Sequence, residues 1–219
     1  MRSSHSRLHA AAAVSLIVGT LACGGGQTAT SPTSPSGGNA SSGVNGSANG
    51  TATLAIHLTD SPFSDAMAFL ITFSEVSVHS ADTGAWTTLT TNRTCDLKQL
   101  QAGGTDLLGA TPFTVGGKYT QIRLMVSDAT LYFEKPWSVG PCVSGTITPP
   151  GGASAPVKIP SGEVKLNQEF TVGAGTTSIV LDFDGDQSVH QTGSGNGNGH
   201  GNAGYIMSPV IRVVSVTQS

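Results

Sequence analysis

The chain has 219 residues, of which 11% are charged and 29 are glycine. Because Ser and Thr fill most polar positions, this composition is typical of turn-rich β proteins outside cells and excludes a long helical protein. The net charge is −3 and the ten Lys and Arg residues are scattered singly. We therefore expect no nucleic-acid partner, because no basic cluster is present.

The N-terminal segment is typical of a bacterial lipoprotein. Arg2 and Arg7 precede an apolar run from Ala10 to Leu21 that is too short to span a bilayer. Leu21-Ala22-Cys23 resembles a lipobox, so we predict a signal peptide over residues 1–22 and lipidation of Cys23. An ordinary signal peptide cleaved nearby is the alternative. The first interpretation anchors the chain to a membrane of the bacterial envelope, in the periplasm or at the cell surface.

Residues 23–50 are nearly all Gly, Ser, Thr, Asn, Ala and Pro. Such a segment cannot bury enough apolar surface to offset its ordering entropy, and it predicts a disordered tether with a reach of roughly 30 Å. We expect a single domain over residues 51–219.

Apolar residues then recur with a period of two, which predicts strands. Leu54, Ile56 and Leu58 form the first, and the second runs from Phe69 to Val78 with a bulge at Ser74-Glu75. Further strands are expected at 86–89, 122–126, 131–133, 157–159, 179–183 and 206–216, and short helical turns at 96–101 and 105–108. This pattern predicts an all-β fold, an antiparallel β-sandwich with Greek-key connections of immunoglobulin-like or prealbumin-like type.

Seven short motifs between residues 51 and 216 resemble the family called domain of unknown function 4382. In chain order they are Leu58-Thr59-Asp60-Ser61-Pro62, Phe73-Ser74-Glu75-Val76-Ser77-Val78-His79, Asp96-Leu97, Gly117-Lys118-Tyr119-Thr120-Gln121-Ile122-Arg123-Leu124, Ile159-Pro160-Ser161-Gly162, Leu181-Asp182-Phe183-Asp184 and Pro209-Val210-Ile211-Arg212-Val213. The resemblance implies an exported bacterial protein, often a lipoprotein, with a β-sandwich and no established activity.

Two cysteines remain once Cys23 is assigned to the lipid. Cys95 and Cys142 form an even pair in an oxidising compartment, where a disulfide is the default. Two free thiols are the alternative.

Three aspartates form the sharpest polar cluster. Asp182, Asp184 and Asp186 follow an apolar run, and Asp60 or Asp65 from the first inter-strand loop could add oxygen ligands for calcium. The favoured alternative is that these residues are solvated or cap turns, with Asp182 paired to Arg123 or Arg212.

Other polar residues indicate no catalytic site. Asp82-Thr83-Gly84 matches the triplet of retroviral-type aspartic proteases, but its flanking residues favour a turn. His190 and His200 flank a Gly/Asn-rich stretch that we interpret as a disordered loop at about 192–204.

Aromatic residues support a binding function. Trp137 follows Pro136 in a loop and is expected to be exposed as a ligand contact, whereas Trp86 is expected in the core. We predict a monomeric, membrane-anchored lipoprotein that acts as a non-enzymatic surface binding or adhesion module for a glycan or protein. The alternatives are an enzyme with a dispersed site, an envelope-assembly factor, and calcium-dependent carbohydrate binding.

Overall fold

The computed structural model describes residues 50–61, 64, 66–193 and 204–219. The predicted signal peptide, the lipidated Cys23 and the tether up to residue 49 lie outside the described residues. So do Asp65, His200 and most of the predicted Gly/Asn-rich loop.

The described residues form twelve strands, one 3₁₀ helix and one short α-helix. The strands are β1 (Thr51–Ser61), β2 (Ala68–Ser80), β3 (Trp86–Asp96), β4 (Asp106–Thr114), β5 (Lys118–Tyr132), β6 (Cys142–Ser144), β7 (Ser154–Lys158), β8 (Glu163–Thr171), β9 (Thr176–Asp184), β10 (Val189–Thr192), β11 (Gly204–Met207) and β12 (Ile211–Gln218). The 3₁₀ helix spans Leu97–Leu100 and α1 spans Gly185–Ser188. None of the described helices has the length and apolar character needed to cross a membrane.

Two sheets pack face to face, which confirms the predicted all-β sandwich. The smaller sheet has the order β12-β9-β1-β4; the larger has the order β10-β11-β7-β5-β2-β3-β6, with β8 also paired to β5. Most neighbours are antiparallel, but β1 pairs with β9 and β11 with β7 in parallel. The sandwich is therefore mixed.

The core lies between the sheets because each strand directs alternate side chains inward. Leu54, Ile56 and Leu58 of β1 are fully buried. They face the larger sheet, whose Phe69 meets Phe183 of β9 edge to face with ring centroids 6.5 Å apart. The period of two in the sequence identified these strands because one face of each is dry.

The predicted bulge in β2 is present. Phe73 pairs with Val126 and Glu75 with Met125, so Ser74 has no partner residue on β5. The extra residue returns Phe73 and Val76 to the same face, and both are fully buried.

Two local predictions are wrong. The expected helical turn at 105–108 is the start of β4, where Leu108 is buried and the strand pairs with β1. The expected strand over 206–216 is two strands in different sheets, β11 and β12. Pro209 lies between them; because its nitrogen carries no hydrogen, it cannot donate to a ladder there. The predicted helical turn at 96–101 matches the 3₁₀ helix Leu97–Leu100.

Candidate ligand-binding face

The predicted calcium ligands lie on two different faces of the smaller sheet. Because side chains alternate along a strand, Asp60 shares the inner face of β1 with Leu58, whereas Asp182 and Asp184 lie opposite Phe183 on β9. Among the described residues, no group of three or more His, Cys, Asp or Glu side chains is placed to hold a metal ion. Asp60, Asp182, Asp184 and Asp186, the predicted ligands that the structure describes, do not form such a group.

Asp182 is held by a cation and a hydroxyl. Arg212 Nη2 donates to Asp182 Oδ2, and Ser61 Oγ donates to the same carboxylate at 3.0 and 3.2 Å. The structure thus pairs Asp182 with Arg212, one of the two partners considered from the sequence, while Arg123 pairs with Glu75.

Asp184 caps the short helix α1. Its carboxylate accepts from the backbone nitrogen of Gln187 at 3.0 Å and from Gln187 Nε2 at 2.6 Å. An Asp at this position satisfies a backbone N–H that the first helical turn leaves free. Asp186, within α1, is exposed. Asp184 therefore caps the helix, and Asp186 lies in the turn that it caps.

Asp60 is a buried carboxyl at the end of β1. Its side chain is 4% exposed and Oδ2 accepts from Gln101 Nε2 at 3.0 Å. Oδ1 has no hydrogen-bond partner among the described residues. Burial is the main cause that raises the pKa of Asp60 from 3.8 to about 7; the charges of Asp182 and Asp184 add to the rise, while the Gln101 amide and the Gly185 backbone N–H oppose it.

Trp137 is not exposed, which corrects the prediction that it contacts a ligand. Only 4% of it is accessible; it packs with Ala68, Leu70 and Tyr132 in a second apolar cluster. Its indole Nε1–H donates to the carbonyl of Thr148 at 3.1 Å. The loop containing Trp137 lies on the outer surface of β2 and buries the indole there. The indole can be buried because its one N–H donor has a backbone acceptor.

Cys95 and Cys142 are joined by a disulfide. Their Cα atoms are 4.0 Å apart, and the bond links β3 to the short strand β6. Asp106 supports the same junction, since its Oδ2 accepts from the Cys142 backbone nitrogen at 2.9 Å. The bridge fixes one end of the segment that carries Trp137.

The other sequence candidates lie at exposed positions. Asp82-Thr83-Gly84 forms the turn between β2 and β3, as expected, and Gly84 has a φ of 68° that favours glycine. Thr83 N donates to Ser80 Oγ at 3.2 Å within this turn. His190 is exposed on β10.

Trp86 lies on the outer surface of the larger sheet. The prediction that it belongs to the core is wrong. Its indole is partly exposed. The Arg123 guanidinium carbon lies 4.3 Å from the ring centroid, and the His79 ring centroid is 5.0 Å away at a tilt of 56°. The cation therefore stacks on an indole face, an arrangement that fixes both side chains.

Strand register places Trp86 in an ordered array. On β2 and β5, Val78 and Ile122 point inward and are fully buried. The alternate residues form what we call the polar face, in three rows across β3, β2, β5 and β8: Trp86, His79, Gln121 and Asn167; Thr88, Ser77, Arg123 and Lys165; Thr91, Glu75, Met125 and Glu163.

Opposite charges on the polar face compensate one another. Arg123 Nη2 lies 2.7 Å from Glu75 Oε1 and donates to it, and Lys165 Nζ lies 3.1 Å from Glu163 Oε1. Arg123 Nη1 is also 4.0 Å from Glu163. The bond from Arg123 holds the pKa of Glu75 below its ordinary value, with Ser77 contributing. The face thus carries two cations and two carboxylates.

Neutral hydrogen-bonding groups lie beside these ion pairs. Gln121 Nε2 donates to Asn167 Oδ1 at 3.0 Å. This bond uses one donor and one acceptor, and each side chain has further amide donor and acceptor groups that a ligand could bind. His79 Nδ1 lies 3.0 Å from Thr120 Oγ1. The face therefore combines one indole with amide, imidazole and hydroxyl groups.

Comparison with protein families supports the resemblance seen in the motifs. The model of the domain of unknown function DUF4382 matches residues 51–209, which is most of the chain. This chain belongs to the DUF4382 family. No curated protein and no solved structure matches it significantly.

The polar face contains residues from two of the motifs that resemble DUF4382. Glu75, Ser77 and His79 belong to the Phe73–His79 motif, and Gln121 and Arg123 to the Gly117–Leu124 motif. Their polar character at alternate positions of apolar strands was a signal that sequence reasoning missed. In this DUF4382 member the two motifs pair side by side as β2 and β5.

Proposed function

We propose that this protein is a lipid-anchored, extracytoplasmic, non-enzymatic binding module whose polar face binds a neutral glycan. The observation that carries the proposal is the position of Trp86 beside the amide, imidazole and hydroxyl groups of the polar face. In this proposal Trp86, and not Trp137, is the aromatic residue that contacts the ligand.

The chemistry of the polar face suits sugars. The C–H surface of a sugar ring is apolar and packs on a flat aromatic ring, which supplies contact area with little loss of side-chain entropy. Sugar hydroxyls donate and accept at once, and so do amide side chains such as Gln121 and Asn167. Because strands lie about 4.8 Å apart, the row from Trp86 to Asn167 spans roughly 14 Å, the length of about three sugar rings.

Charge balance supports a neutral ligand. Each cation on the face already has a carboxylate partner, at 2.7 Å for Arg123 and 3.1 Å for Lys165. A polyanionic ligand would have to displace Glu75 from Arg123. Because Arg123 is already paired, it attracts such a ligand less strongly than an unpaired cation would. A glycan without charged groups needs no such exchange.

The binding site is tested with the purified mature protein and a panel of polysaccharides. Isothermal titration against neutral glucans, xylans, mannans and galactans should show binding to at least one, and Trp86→Ala should weaken it at least tenfold, about 1.4 kcal/mol. Leu107→Ala is the matched control, because Leu107 is 38% exposed on the smaller sheet. Absence of binding to every glycan, or unchanged affinity of Trp86→Ala, would contradict the proposal.

Calcium dependence can be decided in the same titration. The described residues contain no group of three metal-ligating side chains. We therefore expect equal affinity in excess calcium and in chelator. A loss of affinity in chelator would instead favour calcium-dependent carbohydrate binding.

The lipid anchor is tested in cells. Incorporation of a labelled fatty acid into the wild-type protein, lost in Cys23→Ala, is the expected result, because the thiol of Cys23 is the acceptor in a lipobox. Release of wild-type protein without label would leave the alternative of an ordinary signal peptide.

A further inference from the structure

A cavity of about 320 Å³ lies at the end of the polar face nearest the β2–β3 turn. Tyr119 and Phe170 line it, with Lys118, Thr120 and Glu169. Its volume is at the lower end of the range of about 300–1,000 Å³ that ligand pockets occupy. A volume of this size suits one sugar ring.

An irregularity in the pairing of β5 and β8 lies beside the cavity. Tyr119 pairs with Phe170, but the next pair is Gln121 with Asn167, so Thr120 on one strand and two residues on the other have no partner. A bulge of this kind opens the ladder and redirects side chains. Glu169, one of the two unpaired β8 residues, is exposed beside the cavity.

The aromatic lining is rigid. Tyr119 and Phe170 are stacked with ring centroids 5.2 Å apart and an interplanar angle of 20°, and Phe113 meets Tyr119 edge to face at 5.2 Å. Both lining rings are 8% exposed. Because they are fixed by the core, they need no ordering when a ligand binds.

The cavity adjoins the polar face and is bordered at its other side by the β2–β3 turn. Thr120, in its lining, lies 3.0 Å from His79, which contacts Trp86. At the opposite side, the backbone nitrogen of Ala81 donates to the carbonyl of Lys118 at 2.9 Å, which joins the β2–β3 turn to the start of β5. Ala81 also lines the cavity, so a chain that extends from the polar face meets this turn at the far side.

We propose that this cavity is a subsite for one terminal sugar ring of the neutral glycan held on the polar face, so that the module recognises chain ends. This inference rests on the proposed function. Lys118 and Glu169 supply a donor and an acceptor for the hydroxyls of the ring, and the small accessible parts of Tyr119 and Phe170 supply its apolar contact.

The test compares ligands that differ in their number of chain ends. The probes are cellohexaose, xylohexaose and mannohexaose, and the matching polysaccharides before and after partial cleavage by an endo-acting hydrolase, which adds ends at constant mass. We expect the number of protein molecules bound per gram of polymer to rise in proportion to the ends. Lys118→Met with Glu169→Gln should weaken hexasaccharide binding roughly tenfold.

Lys135→Met with Glu134→Gln is the matched control, because both residues are exposed away from the cavity. Binding capacity that follows polymer mass, or unchanged affinity of the cavity variant, would overturn the terminal subsite while glycan binding stands. Absence of binding to any probe would overturn the proposed function as well, so the two failures are distinguishable.

Discussion

We expect the wild-type protein to lose stability as the pH rises from 4.5 to 8. Replacing Asp60 by Asn should remove a large part of that loss. The Asp60 carboxyl is 4% exposed, and burial raises its pKa from 3.8 to about 7. Above pH 7 the folded chain must hold a buried charge whose Oδ1 has no partner among the described residues. Asn offers an oxygen to Gln101 and carries no charge.

The sign follows from proton linkage. Because the folded state binds this proton more tightly than the unfolded state, stability is highest below about pH 3.8 and falls as the pH rises to about 7. The two pKa values differ by an amount that corresponds to roughly 4 kcal/mol. About a quarter of this difference is already lost below pH 4.5, and relaxation around the buried charge reduces the rest, so we expect about 2 kcal/mol.

Urea unfolding at pH 4.5 and pH 8 measures this difference for wild type, Asp60→Asn and the exposed control Asp128→Asn. The free energy of unfolding of Asp60→Asn, relative to wild type, should increase by about 2 kcal/mol between the two pH values. The control should follow wild type. An equal difference between Asp60→Asn and wild type at both pH values would refute the reasoning, because it would mean that Asp60 ionises alike in the folded and unfolded states.

Three further experiments test the packing, each by urea unfolding. Replacing Cys95 and Cys142 by Ala should lower the free energy of unfolding by about 2–4 kcal/mol, because the bridge closes a separation of 47 residues; an unchanged value would mean that the bridge is not formed. Trp137→Ala should cost about 3–5 kcal/mol and Trp86→Ala much less, and the reverse order would contradict the assigned burial. Gly162→Ala should cost about 1–3 kcal/mol, since its Cβ would collide with the backbone oxygen of Val126 on β5; tolerance would show that the loop moves freely.

The all-β fold could be predicted from the sequence because local patterns of apolar and polar residues indicate its strands. Alternation in β1 and β2 identified two central strands, and the change of parity after Phe73 identified the bulge at Ser74. The 3₁₀ helix could be found because Asp96 precedes it, and the Asp96 side chain accepts from the backbone nitrogen of Lys98 at 3.1 Å.

Strand pairing between distant segments could not be predicted in this way. β6 has three residues, and its partners on β3 are about fifty residues away along the chain. No period of two is visible in so short a strand, and the register is fixed by the disulfide between Cys95 and Cys142. Sequence reasoning could propose the bond but not the strand that it holds.

The exchange of roles between Trp137 and Trp86 has the same origin. Exposure depends on what covers a residue, and the cover over Trp137 comes from Tyr132, Ala68 and Leu70 on β5 and β2. Trp86 begins β3, whose pairing shifts near the bulge, so its parity alone did not indicate its face. Both errors arise from tertiary contacts that propensity does not contain.

The sequence of β2 nevertheless differs between the two halves of its outer surface, one of which is apolar and the other polar. Its first residues, Ala68 to Ile71, are all apolar, which is expected where a strand is covered on both faces. Its last residues alternate, with Glu75, Ser77 and His79 at the outward positions. The loop containing Trp137 covers the apolar half. The polar half lies beside Trp86 and Arg123, and it is the half that borders the cavity at Thr120. The position at which β2 changes from continuous to alternating apolar residues therefore marks the boundary of the surface where we propose that the glycan binds.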